Sequence, residues 1–315
     1  MKKYILIVLV ILSILYFPRQ VCAFWVWTPE TNKWTNPKFS VKETPEEQLK
    51  YAHQFREAKQ YKEATREFGK LIRHYPRARE ASEAQFYIGV CYEEQDLLYR
   101  AFKEYQTVID KYPFSNLAEE VVKRQYDIGE ELLEGRSKKN KFVQAMTGTN
   151  YNVIDVFRAV IKNTPYGQWA APSQYKIGLY LMENGLFDEA RDEFEKVIND
   201  YPASEWVKAA KYQIAAADSK RSTSAQYDQK ITQSAVKEFK DFVEVYPDAE
   251  LTDEAKGQIQ GLREKEAHNH FVVAEFYQKQ KNIKAAKIYY EAIVKDYSTT
   301  SWAKKALQKI RTLKD

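Results

Sequence analysis

Large and small apolar residues recur along this chain at fixed distances ahead of a repeated helix end. Ile88, Gly89, Tyr92, Ala101, Tyr105 and Val108 precede Pro113, and Ile177, Gly178, Leu181, Ala190, Phe194 and Val197 precede Pro202 at identical offsets. Tyr51, Ala52, Phe55, Ala64, Phe68 and Leu71 stand the same way before Pro76, as do Val273, Ala274, Tyr277, Ala286, Tyr290 and Ile293 before Ser298. Steps of three and four residues keep these side chains on one helical face. The ends themselves are RHYPRA (73–78), DKYPFS (110–115), NDYPAS (199–204), EVYPDA (244–249) and KDYSTT (295–300), with NTPYG (163–167) as a looser member. Six ends predict six helix pairs. A proline without an N–H biases the residue before it away from helical angles, which stops the second helix of each pair. Small residues such as Gly89 and Ala101 belong where two helices cross closely, with the aromatic residues filling the flanks. One pair cannot bury both of its faces, so the pairs are expected to stack around a shared core.

This ladder resembles the tetratricopeptide repeat, with its small residues at the eighth and twentieth positions, aromatics at the eleventh and twenty-fourth, and proline at the thirty-second. The resemblance implies an all-α fold: a right-handed superhelical solenoid of six helix pairs with a C-terminal capping helix. Two repeats carry insertions, in GRSKKNKFVQAMTGTN (135–150) and near SKRSTSAQYDQ (219–229). Between-helix insertions project from one edge of such a stack, as tolerated loops or as a partner-binding edge. The interval from Pro247 to Ser298 exceeds that from Pro76 to Pro113 by fourteen residues. That is two heptads, about four helical turns, which one long helix or two collinear ones can absorb. WAKKALQKIRTL then makes a last amphipathic helix, with Trp302, Ala306 and Ile310 covering the final pair.

The N-terminus sets the compartment. Lys2 and Lys3 precede an uncharged run from Tyr4 to Phe17, and Val21-Cys22-Ala23 offers small residues where a signal peptidase reads. The reading is a secretory signal peptide cleaved after Ala23; the rival is a membrane anchor, for which the apolar run is short of the roughly 20 residues required. Arg19-Gln20-Val21 ahead of Cys22 does not supply the small residues of a lipoprotein signal. Without residues 1–23 the formal charge falls from +5 to +2, and Cys91 is left with no partner cysteine, reading as a small core residue. Secretion and near-neutrality both oppose a nucleic-acid role.

Catalytic chemistry finds little support. The four histidines are His53, His74, His268 and His270, and the last two, two apart on a helix, point about 200° from one another, unlike a zinc-binding i, i+4 pair. No phosphate-cradling or nucleophile-elbow motif occurs, and lone carboxylates on helices are usually solvated. The expectation is a binding protein with no catalytic residues, metal or cofactor.

The stretch SAVKEFKDFVEVYPDAELTDEA, followed by LREKEAHNHFVVAEFYQKQKNIKAAKIYYEAIVKDY, resembles the BamD family, the helical-repeat component of the outer-membrane β-barrel assembly machine. Shared features are the arginine-containing long helix, the VAEFY core and a closing helix that ends in an acid-aromatic pair. The resemblance implies a scaffold that contacts the POTRA domains of a barrel-forming protein and captures nascent outer-membrane proteins, in the periplasm and peripheral to the inner face of the outer membrane. The alternative is a generic envelope adaptor of the CpoB type, although no coiled coil precedes Pro45. Groove candidates by repeat position are His53, Phe86, Val90, Tyr175, Leu179, Met182 and Phe271, each equally compatible with core. Residues from Lys279 onward carry +7 against −5 for residues 24–278. That makes Lys304, Lys305, Lys309 and Arg311 a candidate docking end for an acidic partner or anionic head groups. FWVWTPETNKW (24–34) holds three of the six Trp. Its Phe24, Trp25, Trp27 and Trp34 suit a tether: a strap on the first repeat, an interfacial membrane finger, or a strand for a partner. The chain thus divides into a signal (1–23), an extended aromatic segment (24–44), repeats one to four (45–205), and a second part (206–315) with repeats five and six, the long helix and the cap.

Overall fold

The computed structural model describes residues 26–28, 33–35, 40–135, 153–221 and 229–313. The signal segment, Phe24, Trp25 and most of both insertions lie outside the described residues. A hairpin of β1 (Val26–Thr28) and β2 (Lys33–Thr35) precedes thirteen described helices. The chain divides into two compact units, one ending at Gln95 and one beginning at Asp96.

The first unit holds α1 (Pro45–Glu57), α2 (Tyr61–His74) and α3 (Arg79–Glu93), each packed on the other two or on its neighbour. Helix α1 starts where it does because Pro45 suits the first helical position and the Thr44 hydroxyl accepts from the Glu47 amide at 3.2 Å. Lys59, at φ 57°, reverses the chain into α2. Ala64, Phe68 and Leu71 of α2 are fully buried, as the ladder requires. Residues 40–43 lie along this pair: Lys70 donates to the Ser40 carbonyl at 3.2 Å, and the Tyr75 hydroxyl donates to the carbonyls of Lys42 and Glu43 at 2.7 and 3.0 Å.

The second unit runs through α4 (Leu98–Lys111), α5 (Ala118–Leu133), α6 (Val153–Asn163), α7 (Ala170–Glu183), α8 (Phe187–Asp200), α9 (Trp206–Arg221), α10 (Gln229–Val245), α11 (Thr252–Lys279), α12 (Ile283–Asp296) and α13 (Ser301–Thr312). Each packs on the next, while α7 also meets α9 and α11 also meets α13, the stacking of one pair on another. The long helix is a single one of 28 residues. Trp302, Ala306 and Ile310 of α13 close the last cluster over Phe271, Tyr290 and Ile293.

Two details refine the physics read from the sequence. Gly178 makes room for a ring rather than for a neighbouring backbone: a Cβ there would stand 2.5 Å from Cε1 of Phe194, and one at Gly129 2.7 Å from Cε1 of Phe157. Helix ends do not depend on proline. Tyr75, Tyr112 and Tyr201 precede proline, yet Tyr297, before Ser298, takes the same backbone angles, with φ of −123° against −124° for Tyr75. What recurs is a turn in which the tyrosine carbonyl accepts from the amide three residues on, at 3.0 Å from Ala78, 2.9 Å from Ser115, 2.9 Å from Ser204 and 2.9 Å from Thr300. Proline is simply well suited to the second position of that turn.

Candidate functional site

The titratable side chains that could do chemistry are committed to packing. Cys91 is buried, and burial pushes its thiol up to about 12. His53 lies edge-on to Phe68 and Tyr87, with ring centroids 5.2 and 4.3 Å away, and burial, joined by the Arg56 charge, lowers its pKa. His268 stacks on Trp302 at 4.3 Å, and His270 lies 5.5 Å from Tyr297, its pKa lowered by burial. Among the described residues no group of three His, Cys, Asp or Glu side chains is placed to hold a metal, and no helix is long and apolar enough to cross a membrane.

The seven groove positions fall into three environments. His53 lines an open cleft of about 670 Å³ between α1 and α3, with Lys50, Arg56, Glu83 and Tyr87. Arg56 crosses it, 5.0 Å from the Tyr87 ring centre and 3.5 Å from the Glu94 carboxylate. Phe86, Val90, Tyr175 and Phe271 are buried. Leu179 and Met182 are half-buried against the core formed by α5 to α9.

At the C-terminal end, Lys304 and Arg311 are exposed. Lys305 places its ammonium 3.8 Å from the Trp302 ring centre, and Lys309 pairs with Glu275 at 3.1 Å. Four basic residues that look equivalent in sequence therefore differ: Lys304 and Arg311 face solvent, Lys305 lies over a ring of its own helix, and Lys309 helps to fasten α13 to α11. At the other end, Trp27 lies opposite Trp34 in the hairpin register, their rings 5.7 Å apart and 42% and 63% exposed. Phe24 and Trp25 are outside the described residues.

A buried polar ladder accompanies the apolar one and was missed in the sequence. Gln48 donates to both the backbone carbonyl and the carboxylate of Glu67 nineteen residues later, at 3.1 Å each, and Gln174 bonds Glu193 at the same separation. Lys70 and Lys196 complete the two sites, each 2.9 Å from its glutamate. Burial raises the Glu193 pKa, but the bonds from Lys196 and Gln174 outweigh it and leave the group below its ordinary value. Gln125 instead bonds Gln106 and accepts from Asn163, at 2.9 Å each. Glu67, Gln125, Gln174 and Glu193 each sit directly before a core ring, so the visible signal was a glutamine and a glutamate in step with the aromatics.

With this geometry established, the chain can be set beside known proteins. The tetratricopeptide repeat family matches residues 83–115 and 173–204, covering α3–α4 and α7–α8. The family described as outer membrane lipoprotein (YfiO) matches residues 215–313. Outer membrane protein assembly factor BamD of Caulobacter vibrioides is 26% identical over 159 residues, 50% of this chain and 52% of that protein. The chain therefore spans about half the length of that relative. Solved structures similar to it include the C-terminal part of a TPR repeat-containing protein from Cytophaga hutchinsonii (15% identity, TM-score 0.38, 84% of this chain and 88% of that one). A tetratricopeptide repeat protein from Parabacteroides merdae is similar as well (12% identity, TM-score 0.36, 85% and 98%). The packed helices and the two repeat matches define the class as a helical tetratricopeptide-repeat protein, with a short hairpin ahead of its helices. Within that class the chain resembles BamD.

Proposed function

We propose that this chain is a non-catalytic scaffold of outer-membrane protein assembly, working in the periplasm at the inner face of the outer membrane. In this reading it binds a POTRA-containing barrel protein, nascent outer-membrane proteins, or both. The observation that carries it is the match over residues 215–313 to the outer membrane lipoprotein family, together with the similarity to BamD. The matched region comprises α10 to α13 and the end of α9, so the resemblance falls on several consecutive helices and not on an isolated motif. Helical-repeat stacks present extended surfaces to other polypeptides, and the open cleft beside His53 is one such surface in the first unit. The exposed Trp27–Trp34 pair would supply a weak, reversible membrane contact of the kind that one short aromatic segment gives.

The test is recovery of crosslinked partners from intact envelopes. A POTRA-containing barrel protein is the expected partner; recovery of peptidoglycan synthases in its place would transfer the chain to the envelope-adaptor class. The basic end is tested separately by reversing Lys304 and Arg311 to Glu, which leaves the Lys309–Glu275 pair between α13 and α11 intact. Docking through this end predicts slower association and a flatter dependence on ionic strength. Unchanged association rates at both low and high salt would leave this end as solvated surface.

A further inference from the structure

The polar ladder breaks in the fifth pair, and the break opens a cleft. Four ring pairs fix the register through the second unit: Tyr126–Phe157, Tyr175–Phe194, Tyr212–Phe239 and Phe271–Tyr290, with centroids 5.9, 5.4, 5.5 and 5.3 Å apart. Gln174 and Glu193 precede the rings of the second of these pairs. In the third pair those positions belong to Lys211 and Glu238. An ammonium at this site does not reproduce the double donation of the glutamine amide. Lys211 turns outward, its ammonium 5.4 Å from the Tyr246 ring centre. Glu238 keeps one bond, from Arg191 at 3.1 Å, and its second oxygen, Oε2, is shielded from solvent and accepts no hydrogen bond.

Around this carboxylate lies a cleft of about 540 Å³ between α8, α9 and α10. Ile198, Ile214, Phe242 and Val245 supply apolar wall, and Val245 is 59% exposed at the rim. The charges lining it are Arg191 and Lys211 against Glu195, Glu238 and Asp241. Arg191 is already divided among Glu195, Asp218 and Glu238, at 3.1, 3.2 and 3.1 Å. The unmet charge is therefore negative. Burial raises the pKa of Glu238, with Arg191 offsetting only part of the effect, whereas Glu193 at the matching ladder position lies below its ordinary value.

We propose that this cleft binds an arginine side chain carried by an extended segment of a partner polypeptide, with the guanidinium against Glu238 and Asp241 and the stem along Ile198, Phe242 and Val245. Glu238 and Asp241 are three apart on α10 and so share a face, and the guanidinium fork can meet two carboxylates where an ammonium is a point charge.

The probe is the peptide acetyl-Ala-Leu-Arg-Leu-Ala-amide, titrated into the full chain and followed by amide chemical shifts. Partners with lysine or citrulline in place of arginine are run alongside. Shifts confined to α8, α9 and α10 are expected with arginine, absent with citrulline and weaker with lysine. Glu238→Gln should weaken binding by about tenfold or more, the loss expected for a hydrogen bond to a charged group. Lys211→Gln restores the ladder donor: it should satisfy Glu238, raise the melting temperature, and abolish arginine binding in a chain at least as well folded as the parent. No shift at millimolar peptide, equal binding of lysine or citrulline, or retained affinity in Lys211→Gln would each overturn the proposal. Capture of envelope partners is a separate measurement and stands whatever the peptide does.

Discussion

Replacing Gly178 by alanine tests the ring-on-glycine packing with a single methyl group. The added Cβ would lie 2.5, 2.7 and 2.8 Å from Cε1, Cζ and Cδ1 of Phe194. Carbon atoms rest about 3.5–4.0 Å apart, so something must move by about 1 Å. Phe194 is fully buried and has little freedom to move. Overpacking of this kind costs about 1–3 kcal/mol, against the 0.8–1.0 kcal/mol or so that alanine gains over glycine inside a helix. The net expectation is a loss of about 0–2 kcal/mol, read as a fall in melting temperature of about 2–4 °C for each kcal/mol. Gly257 supplies the control, since it is exposed within α11 and its Cβ would meet nothing within 4 Å. There the helix-propensity gain acts alone, so Gly257→Ala should melt about 2–4 °C higher than the parent. Circular dichroism melts of the two variants should thus move in opposite directions. If Gly178→Ala melts as high as Gly257→Ala, Phe194 is not seated on that glycine and the repeat register is wrong.

Four further outcomes are expected. Lys281 has φ 60° at the turn into α12, where Gly185, at φ 75°, serves the turn into α8, so Lys281→Gly should stabilise the chain by about 1 kcal/mol in denaturant titration. Cys91, with its thiol raised to about 12, should resist alkylation at mildly alkaline pH until denaturant is added, as read by peptide mapping. His53 and His270 both have folded pKa values below 6.5, so the unfolded chain binds more protons and stability falls as pH drops through that value. The double replacement by Gln should flatten the melting temperature between about pH 7.5 and 5.5. Trp302→Ala removes the ring that His268 stacks on at 4.3 Å and Phe271 meets at 5.0 Å, at a cost of about 3 kcal/mol. Hydrogen exchange should show lost protection in α13 while α4 to α8 keep theirs.

The apolar part of the fold could be read because it is periodic at two levels. Ala190, Phe194 and Val197 are three buried residues of one face, and the same offsets return in α2 and α12. The polar ladder escaped because buried and solvated glutamines share one composition. Gln48 and Gln174 sit among many Lys, Glu and Gln residues, and only their constant distance to Glu67 and Glu193 sets them apart. Gln85 and Glu104 repeat that spacing in the sequence. Pairing of Trp27 with Trp34 escaped for another reason: strand pairing depends on a register that two three-residue strands barely encode. His268 and His270 find different partners, and no periodicity could reveal that Trp302 would stack on the first of them.

The two kinds of family match divide the chain near the point where the polar ladder changes its chemistry. Gln174 and Glu193 lie inside the repeat match at 173–204, while Lys211 stands four residues before the lipoprotein-family match begins at 215, and Glu238, His270 and Tyr289 lie inside it. In the earlier pairs the ladder satisfies itself, since Gln48 and Gln174 donate to their glutamates. In the later ones it does not: Oε2 of Glu238 and Nδ1 of His270, both at ladder positions, are buried without a partner, whereas the unsatisfied buried atoms of the earlier pairs, such as Nε1 of Trp169 and Oγ of Ser173, lie off the ladder. Leaving such a group unsatisfied costs about 1–3 kcal/mol. A helix pair that only had to stack would do better with the glutamine and glutamate used elsewhere in this chain. Departures of this kind gather where binding constrains a sequence more than stability does. The pairs that resemble BamD are therefore where partner contacts should be sought first, and Lys211→Gln tests that ordering directly. Repair of the ladder there should add stability and subtract binding, whereas the reverse substitution in the repeat-matched part, Gln174→Lys, should subtract stability alone.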